Sequence, residues 1–251
     1  MRILLLISIV FTVSSCSEDT KRNLSSSTTG GSSLLQDLPS SHTGIDFINE
    51  ITNTKDFNIF NYRNFYNGGG VGIGDVNNDG LSDIYFTSNQ GSNKLYLNKG
   101  DLQFEDISSK AGIESPDKWS TGVTMVDINA DGYLDIYVSN AGNREGGDQR
   151  NQLYINNQDT TFTESAAQYG LDENGYTTHA AFFDYDKDGD LDAYILNNSF
   201  IPVNTLNYSN KRNLRAKDWP VKDFLKGGGD KLLRNDGGMF VDVSELSLIH
   251  I

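Results

Sequence analysis

The chain has 251 residues, 37% of them hydrophobic and 11% aromatic, which is enough for one large domain or two small ones with a packed core. The formal net charge of −14 argues against nucleic acid as a partner, because phosphate binding requires a basic surface. The 12 Tyr and 13 Phe favour strands over helices. The excess of acid fits either a solvated surface or carboxylates that bind a cation.

The N-terminus predicts an export signal rather than part of the fold. Residues 1–15 combine a short basic start with an apolar run that is too short to span a bilayer. The run ends in Val13-Ser14-Ser15-Cys16, which resembles a bacterial lipobox and implies cleavage before Cys16 and acylation of that cysteine. The alternative is an ordinary signal peptide in which Cys16 has no role. As the single cysteine, Cys16 cannot form an internal disulfide.

The residues after Cys16 predict a surface-exposed lipoprotein with a flexible linker. The acidic "SEDT" resembles the surface-export signal of Bacteroidetes-type lipoproteins, which implies a position on the outer membrane, held by the lipid anchor alone. Residues 16–44 are rich in Ser, Thr and Gly and predict a flexible tether. Residues 45–245 then form the folded region.

An internal repeat organises the folded region. The acidic stretch "DVNNDGLSD" (75–83) returns as "DINADGYLD" (127–135) and as "DYDKDGDLD" (184–192). Each copy follows an apolar, small-residue run and precedes three strand-like runs, which are separated by turn residues such as "NKGD" and "NDGG". Four short strands per repeat predict an all-β fold, a partial β-propeller of about three four-stranded blades. A β-sandwich or a β-helix is the alternative.

The acidic stretches predict calcium loops between the first and second strands of each blade. Oxygen-bearing side chains at positions 1, 3, 5 and 9 and a glycine at position 6 suit a hard cation that takes six to eight oxygen ligands. The candidate side-chain ligands are Asp75, Asn77, Asp79, Asp83, Asp127, Asn129, Asp131, Asp135, Asp184, Asp186, Asp188 and Asp192. Position 7 would add a backbone carbonyl from Leu81, Tyr133 or Asp190. The sequence thus predicts about three structural Ca²⁺ sites.

Two other interpretations of these stretches are weaker. An EF-hand needs a Glu at position 12 and flanking helices, but position 12 is Phe86, Val138 or Ile195, each in a predicted strand. A metal-free Asx turn would explain one copy but not three copies in the same strand context. His42 and His179 have no matching nucleophile motif, so the sequence predicts no enzyme.

The repeats resemble a known family. "YNGGGVGIGDVNNDGLSDIYFTSN", "NKLYLNKGDLQFEDIS" and "WSTGVTMVDINADGYLDIYVSN" are similar to FG-GAP/VCBS repeats, and most similar to those of Bacteroidetes lipoproteins related to ASPIC/UnbV-containing proteins. The resemblance implies an integrin-α-like propeller of about seven blades that binds an unknown protein or glycan. Rival functions are a polysaccharide-acting enzyme whose active site lies in missing blades, and a structural spacer for a missing C-terminal domain.

Two segments depart from the repeat. Residues 199–229 form a long insertion with several basic residues, which is either functional or a tolerated surface loop. Residues 246–251, "LSLIHI", fit no blade, and one reverse translation of them resembles a transposon end used in sequencing libraries. We therefore expect an N-terminal fragment with a non-native tail, the alternative being an ordinary apolar strand.

Overall fold

The computed structural model describes residues 35–141, 148–198 and 229–246. The predicted signal peptide, Cys16, most of the predicted tether, residues 199–228 of the insertion and residues 247–251 of the tail therefore lie outside the described residues. Residues 35–37 belong to an N-terminal unit and carry neither helix nor strand there. All elements below belong to the unit that starts at Leu38.

Three four-stranded antiparallel sheets follow one another along the described chain. The first contains β1 (Val71–Gly74), β2 (Asp83–Phe86), β3 (Lys94–Asn98) and β4 (Phe104–Asp106). The second contains β5 (Trp119–Val126), β6 (Asp135–Ala141), β7 (Gln152–Asn156) and β8 (Phe162–Glu164). The third contains β9 (Thr177–Phe183), β10 (Asp192–Asn197), β11 (Lys231–Asn235) and β12 (Phe240–Asp242). Each sheet keeps its strands in sequence order, which confirms the predicted all-β fold of propeller blades.

Helical segments in the described residues are single turns. They are α1 (Ser40–Thr43), α2 (Ser108–Ala111), α3 (Ala166–Tyr169) and a 3-10 turn over Ser244–Leu246. The turns α2 and α3 follow the fourth strands of the first two sheets and end at glycines with positive φ, 76° at Gly112 and 72° at Gly170. No described helix has the length and apolar character needed to cross a bilayer.

The sheets pack face to face through apolar cores. Tyr85, Val123 and Ile136 belong to the core between the first and second sheets. Tyr137 and Ala193 belong to the core between the second and third. Along β2 the buried Asp83 and Tyr85 alternate with the less buried Ile84 and Phe86, so one strand face points into the protein.

The first strands of the three sheets lie side by side and approach each other closely. A Cβ atom at Gly70 would lie 3.0 Å from the Cα atom of Gly122, and a Cβ at Gly122 would lie 2.4 Å from the carbonyl oxygen of Thr178. Only glycine allows the backbones this proximity. The glycine-rich run before the first acidic stretch therefore leads into a strand, β1, that lies close to the first strand of the next sheet.

Candidate metal centres

The three acidic stretches occupy equivalent hairpins, which we call loop 1 (Asp75–Asp83), loop 2 (Asp127–Asp135) and loop 3 (Asp184–Asp192). Each loop joins the first and second strands of its sheet, and its position 9 is the first residue of the second strand. The strand pairs that close the loops are Gly74–Asp83, Val126–Asp135 and Phe183–Asp192. Equivalent connections place all three loops at the same end of their sheets.

Two left-handed residues give each loop its turn. Position 4 has φ of 57° at Asn78, 57° at Ala130 and 68° at Lys187. Position 6 has φ of 86° at Gly80, 89° at Gly132 and 100° at Gly189. The φ values at position 4 lie in the small left-handed region that a side chain can adopt, whereas those at position 6 lie beyond it, which explains the glycine at position 6 of every copy.

Position 1 is a carboxylate that organises the loop backbone. The two oxygens of Asp75 accept N–H bonds from Asp79 at 3.2 Å and Gly80 at 2.7 Å. Asp127 accepts the equivalent bonds from Asp131 and Gly132 at 3.0 and 2.9 Å. Because both oxygens act as acceptors, an amide could not replace this carboxylate without losing a bond.

Positions 3 and 5 differ between the loops. In loop 1, Asn77 donates its amide N–H to Asp79 at 2.9 Å, and in loop 2 Asn129 donates to Asp131 at 3.1 Å. Loop 3 has Asp186 at position 3, which has no donor to offer. Desolvation, followed by repulsion from Asp188, raises the pKa of Asp186. Loop 3 thus concentrates negative charge that the other two loops relieve internally.

Position 7 closes the turn through its backbone. The N–H groups of Leu81, Tyr133 and Asp190 donate to the position 5 carboxylate of the same loop at 2.8, 2.9 and 3.1 Å. In loop 3 the Asp190 side chain adds a further carboxylate, and desolvation together with the nearby Asp188 charge raises its pKa. Ligation by the position 7 carbonyls stays a prediction.

Position 9 is buried and holds the loop to the sheet. Its residues, Asp83, Asp135 and Asp192, have no solvent-exposed surface. In each, one oxygen accepts the N–H of position 2 and the other accepts the N–H of the last residue of the third strand; for Asp135 these donors are Ile128 at 3.1 Å and Asn156 at 2.8 Å. Burial raises the pKa of Asp135 to about 6 and also raises that of Asp83.

An asparagine at the end of each third strand completes the frame. Asn98, Asn156 and Asn235 each donate a backbone N–H to the position 9 carboxylate and a side-chain N–H to the position 8 carbonyl. Their side-chain oxygens accept an N–H from the turn before the fourth strand. The sequence analysis missed these residues, although the recurring "LYLN", "LYIN" and "LLRN" were the available signal.

The donor set fits a divalent cation. In loop 3, carboxylate oxygens of the exposed Asp184, Asp186 and Asp188 lie within 4.8 Å of one another. Loops 1 and 2 hold an Asp-Asn-Asp set in the same pattern of backbone hydrogen bonds. Several oxygen donors on a tight, exposed turn suit a hard cation such as Ca²⁺ better than they suit softer metals.

Comparison with known proteins finds a family model that is similar to the repeat. Residues 75–138 and 141–195 match the family model of the FG-GAP-like repeat. These two stretches, a little under half of the chain, are similar to FG-GAP-like repeats. The first match begins at position 1 of loop 1, and the second ends at position 12 of loop 3, so all three acidic loops lie within the matched residues.

Proteins similar to this chain include cartilage acidic protein 1 from vertebrates. The Xenopus tropicalis protein is 34% identical over 137 residues, which cover 53% of this chain and 20% of the relative. The Homo sapiens protein is 38% identical over 76 residues, or 30% of this chain and 12% of the relative. The chain thus spans a fifth or less of these curated relatives. The bacterial lipoprotein type and its link to ASPIC/UnbV-containing proteins stay predictions.

Proposed function

We propose that the chain is part of a calcium-stabilised β-propeller scaffold, without enzymatic activity, that binds a protein or glycan at the cell surface. One observation carries the proposal: three equivalent hairpins carry oxygen-bearing side chains at the same positions 1, 3, 5 and 9, at the same end of three consecutive sheets. Three copies in equivalent places favour a shared ligand over an incidental acidic turn. The lipid anchor at Cys16 and the outer-membrane location are further parts of this proposal.

The loop residues would hold the ion through oxygen. The candidates are the side chains at positions 1, 3, 5 and 9 and the carbonyl at position 7 of each loop. Ca²⁺ would supply positive charge that offsets repulsion among the carboxylates. The chain's own contribution is a turn already wrapped by the hydrogen bonds of Asp75, Asp127 and Asp184, so less ordering remains for the ion to impose.

The opposite end of the first two sheets offers a surface for a partner. A cleft of about 430 Å³ lies there, lined by Phe57, Asn89, Gln90, Pro116, Asp117, Lys118, Trp119 and Gln149. Gln149 accepts the N–H of Trp119 at 2.9 Å, and Lys118 pairs with Asp148 at 3.3 Å, so cross-strand contacts shape the cleft. Amide, carboxylate and ammonium groups around it suit a polar ligand such as a glycan or an extended peptide.

Calorimetric titration and thermal melting of the intact protein test the calcium proposal. We expect about three Ca²⁺ to bind and each to raise the melting temperature by about 5–10 °C at a hundredfold excess over Kd. Asp79→Ala, Asp131→Ala and Asp188→Ala should each remove one site. A melting temperature that Ca²⁺ leaves unchanged would overturn the structural role of the ion.

Binding assays test the scaffold proposal against its rivals. Glycan and matrix-protein arrays should show a ligand that is lost with Gln90→Ala and Asp117→Ala, which change the cleft, and kept with Asp159→Ala, which changes an exposed turn elsewhere. A spacer would give no ligand on the arrays. Cleavage of polysaccharides by the intact protein would favour the enzyme.

A further inference from the structure

Loops 1 and 2 are joined to each other by side-chain hydrogen bonds that cross from sheet to sheet. Asn78, at position 4 of loop 1, donates its amide N–H to the carbonyl of Gly132 in loop 2 at 2.9 Å. Asn156, at the end of the third strand of the second sheet, donates to the carbonyl of Val76 in loop 1 at 2.7 Å. The two bonds run in opposite directions, so each loop is held by the other's sheet.

Both bonds are accepted by residues whose N–H groups also donate to a candidate ligand of the same loop. The N–H of Val76 donates to the buried Asp83 at 2.9 Å, while its carbonyl accepts from Asn156. The N–H of Gly132 donates to Asp127 at 2.9 Å, while its carbonyl accepts from Asn78. The Val76 carbonyl of loop 1 is thus held by the second sheet, and the Gly132 carbonyl of loop 2 is held by loop 1.

Asn156 contacts both loops at once. Its second side-chain contact is the carbonyl of Leu134 in loop 2 at 3.1 Å, and its backbone N–H donates to Asp135 at 2.8 Å. With the bond to Val76, one buried amide connects position 8 of loop 2 to position 2 of loop 1. Displacing either loop therefore breaks a bond that also positions the other.

Loop 3 lacks these connections to loop 2 among the described residues. Position 4 of loop 2 is Ala130, which has no amide to donate to loop 3 as Asn78 donates to loop 2. Asn235, the equivalent of Asn156 in the third sheet, donates its side-chain N–H to Leu191 of its own loop at 3.2 Å. Among the described residues, these side-chain hydrogen bonds join loops 1 and 2, whereas loops 2 and 3 meet through the apolar core of Ile128 and Leu191.

We infer that loops 1 and 2 bind their ions as a coupled pair, whereas loop 3 binds its ion independently. The inference rests on the calcium-binding function proposed above. Without an ion, repulsion between the carboxylates lowers the stability of the wrapped turn, and an ion raises it. Wrapping loop 1 places Asn78 and the Val76 carbonyl where loop 2 needs them, so the second ion meets a loop that is already ordered.

The size of the coupling sets the expected result. Two hydrogen bonds that depend on both loops being wrapped should change the affinity of one loop for its ion on the order of tenfold when the other is occupied. The effect must be reciprocal, because a coupling free energy is shared by the two sites.

The experiment measures ion binding at loop 2 alone. Tb³⁺ is a hard ion that takes oxygen ligands as Ca²⁺ does, and Tyr133 at position 7 of loop 2 can sensitise its luminescence. The residues equivalent to Tyr133 are Leu81 and Asp190, which cannot sensitise Tb³⁺; loop 3 has Tyr185 at position 2, so all proteins in this assay carry Tyr185→Phe. Loss of the signal in Tyr133→Phe assigns it to loop 2, and competition by Ca²⁺ then gives the Ca²⁺ affinity of that loop.

Variants of the other loops separate the outcomes. Asp79→Ala in loop 1 should weaken loop 2 about tenfold, whereas the matched Asp188→Ala in loop 3 should leave loop 2 within about twofold. Asn78→Gly keeps the left-handed backbone but removes the amide, and it should cut the effect of Asp79→Ala severalfold. Lys187→Gly, the same exchange at position 4 of loop 3, is its control.

The possible failures are distinguishable. Equal effects of Asp79→Ala and Asp188→Ala on loop 2, or no effect of either, would overturn the coupling while calorimetry still shows about three bound Ca²⁺. An unchanged response to Asp79→Ala in the Asn78→Gly protein would overturn the assignment to these hydrogen bonds. Absence of any Ca²⁺ binding in calorimetry would overturn the proposed function and the coupling together.

Discussion

Asp192→Asn should destabilise the ion-free protein, although the exchange removes only one charge from a crowded loop. Asp192 is fully buried, and its two oxygens accept N–H bonds from Tyr185 and Asn235, both at 2.9 Å. An amide has a single oxygen, so its NH₂ group would face one of these donors. A buried donor without a partner costs about 1–3 kcal/mol, which corresponds to a fall in melting temperature of about 2–12 °C for a chain of this size.

The matched control is Asp186→Asn, the same exchange at position 3 of the same loop. Asp186 is exposed and accepts one backbone N–H, from Asp188 at 3.3 Å, which an amide oxygen can still accept. The exchange also removes the repulsion that contributes to the raised pKa of Asp186. The ion-free Asp186→Asn protein should therefore unfold at the same temperature as the parent or at a higher one.

The assay is thermal and urea unfolding of protein freed of metal on a chelating resin, repeated with saturating Ca²⁺. Without metal, Asp192→Asn should be the less stable variant. With Ca²⁺, Asp186→Asn should gain less than the parent, because position 3 is a candidate ligand. Equal stability of the two variants without metal would refute the structural role of position 9, since that role depends on two acceptor oxygens.

Backbone conformation and carboxylate titration give three other expected outcomes. Ala130→Gly should stabilise the protein by about 1 kcal/mol because φ is 57° there. Ala181→Gly in β9 should instead destabilise it by about 0.5–1 kcal/mol, so the two melting temperatures should shift in opposite directions. Desolvation opposes the shift at Asp106, but the bond from Lys94 helps to lower the pKa of this carboxyl. The stabilisation that Asp106 contributes is therefore present above about pH 4 and is lost as pH falls through the lowered pKa. Urea titrations of Asp106→Asn should lack that loss. The raised pKa of Asp135, about 6, has the opposite sign: ion-free stability should fall as pH rises from about 4 to 6, and Asp135→Asn should lack this slope.

The strands and loops could be predicted because their signals are local. Each acidic stretch holds its turn residues within nine positions, and the strand pattern in "DIYF" or "KLYLN" needs only neighbouring residues. Repetition then removed the ambiguity that a single short apolar run leaves between strand and helix.

The contacts between loops could not be predicted because they join distant residues. Asn156 reaches a carbonyl 80 positions away in Val76, and no local pattern distinguishes this asparagine from one in an ordinary turn. The burial of Asp135 could not be predicted either, because a carboxylate in an acidic stretch is expected to be exposed to solvent. Both features depend on how one sheet packs against the next.

The identity of the acidic residues follows from their number of acceptor oxygens. Positions 1 and 9 are Asp in all three loops, and in each case both oxygens accept backbone N–H groups, a task that Asn cannot perform. Position 3 varies, with Asn77, Asn129 and Asp186, and there the fold uses only one oxygen. The fold therefore tolerates either Asn or Asp at position 3, whereas the backbone N–H groups require a carboxylate at positions 1 and 9. Changing position 3 should consequently tune affinity for the ion, and changing position 9 should alter stability even when no ion is present.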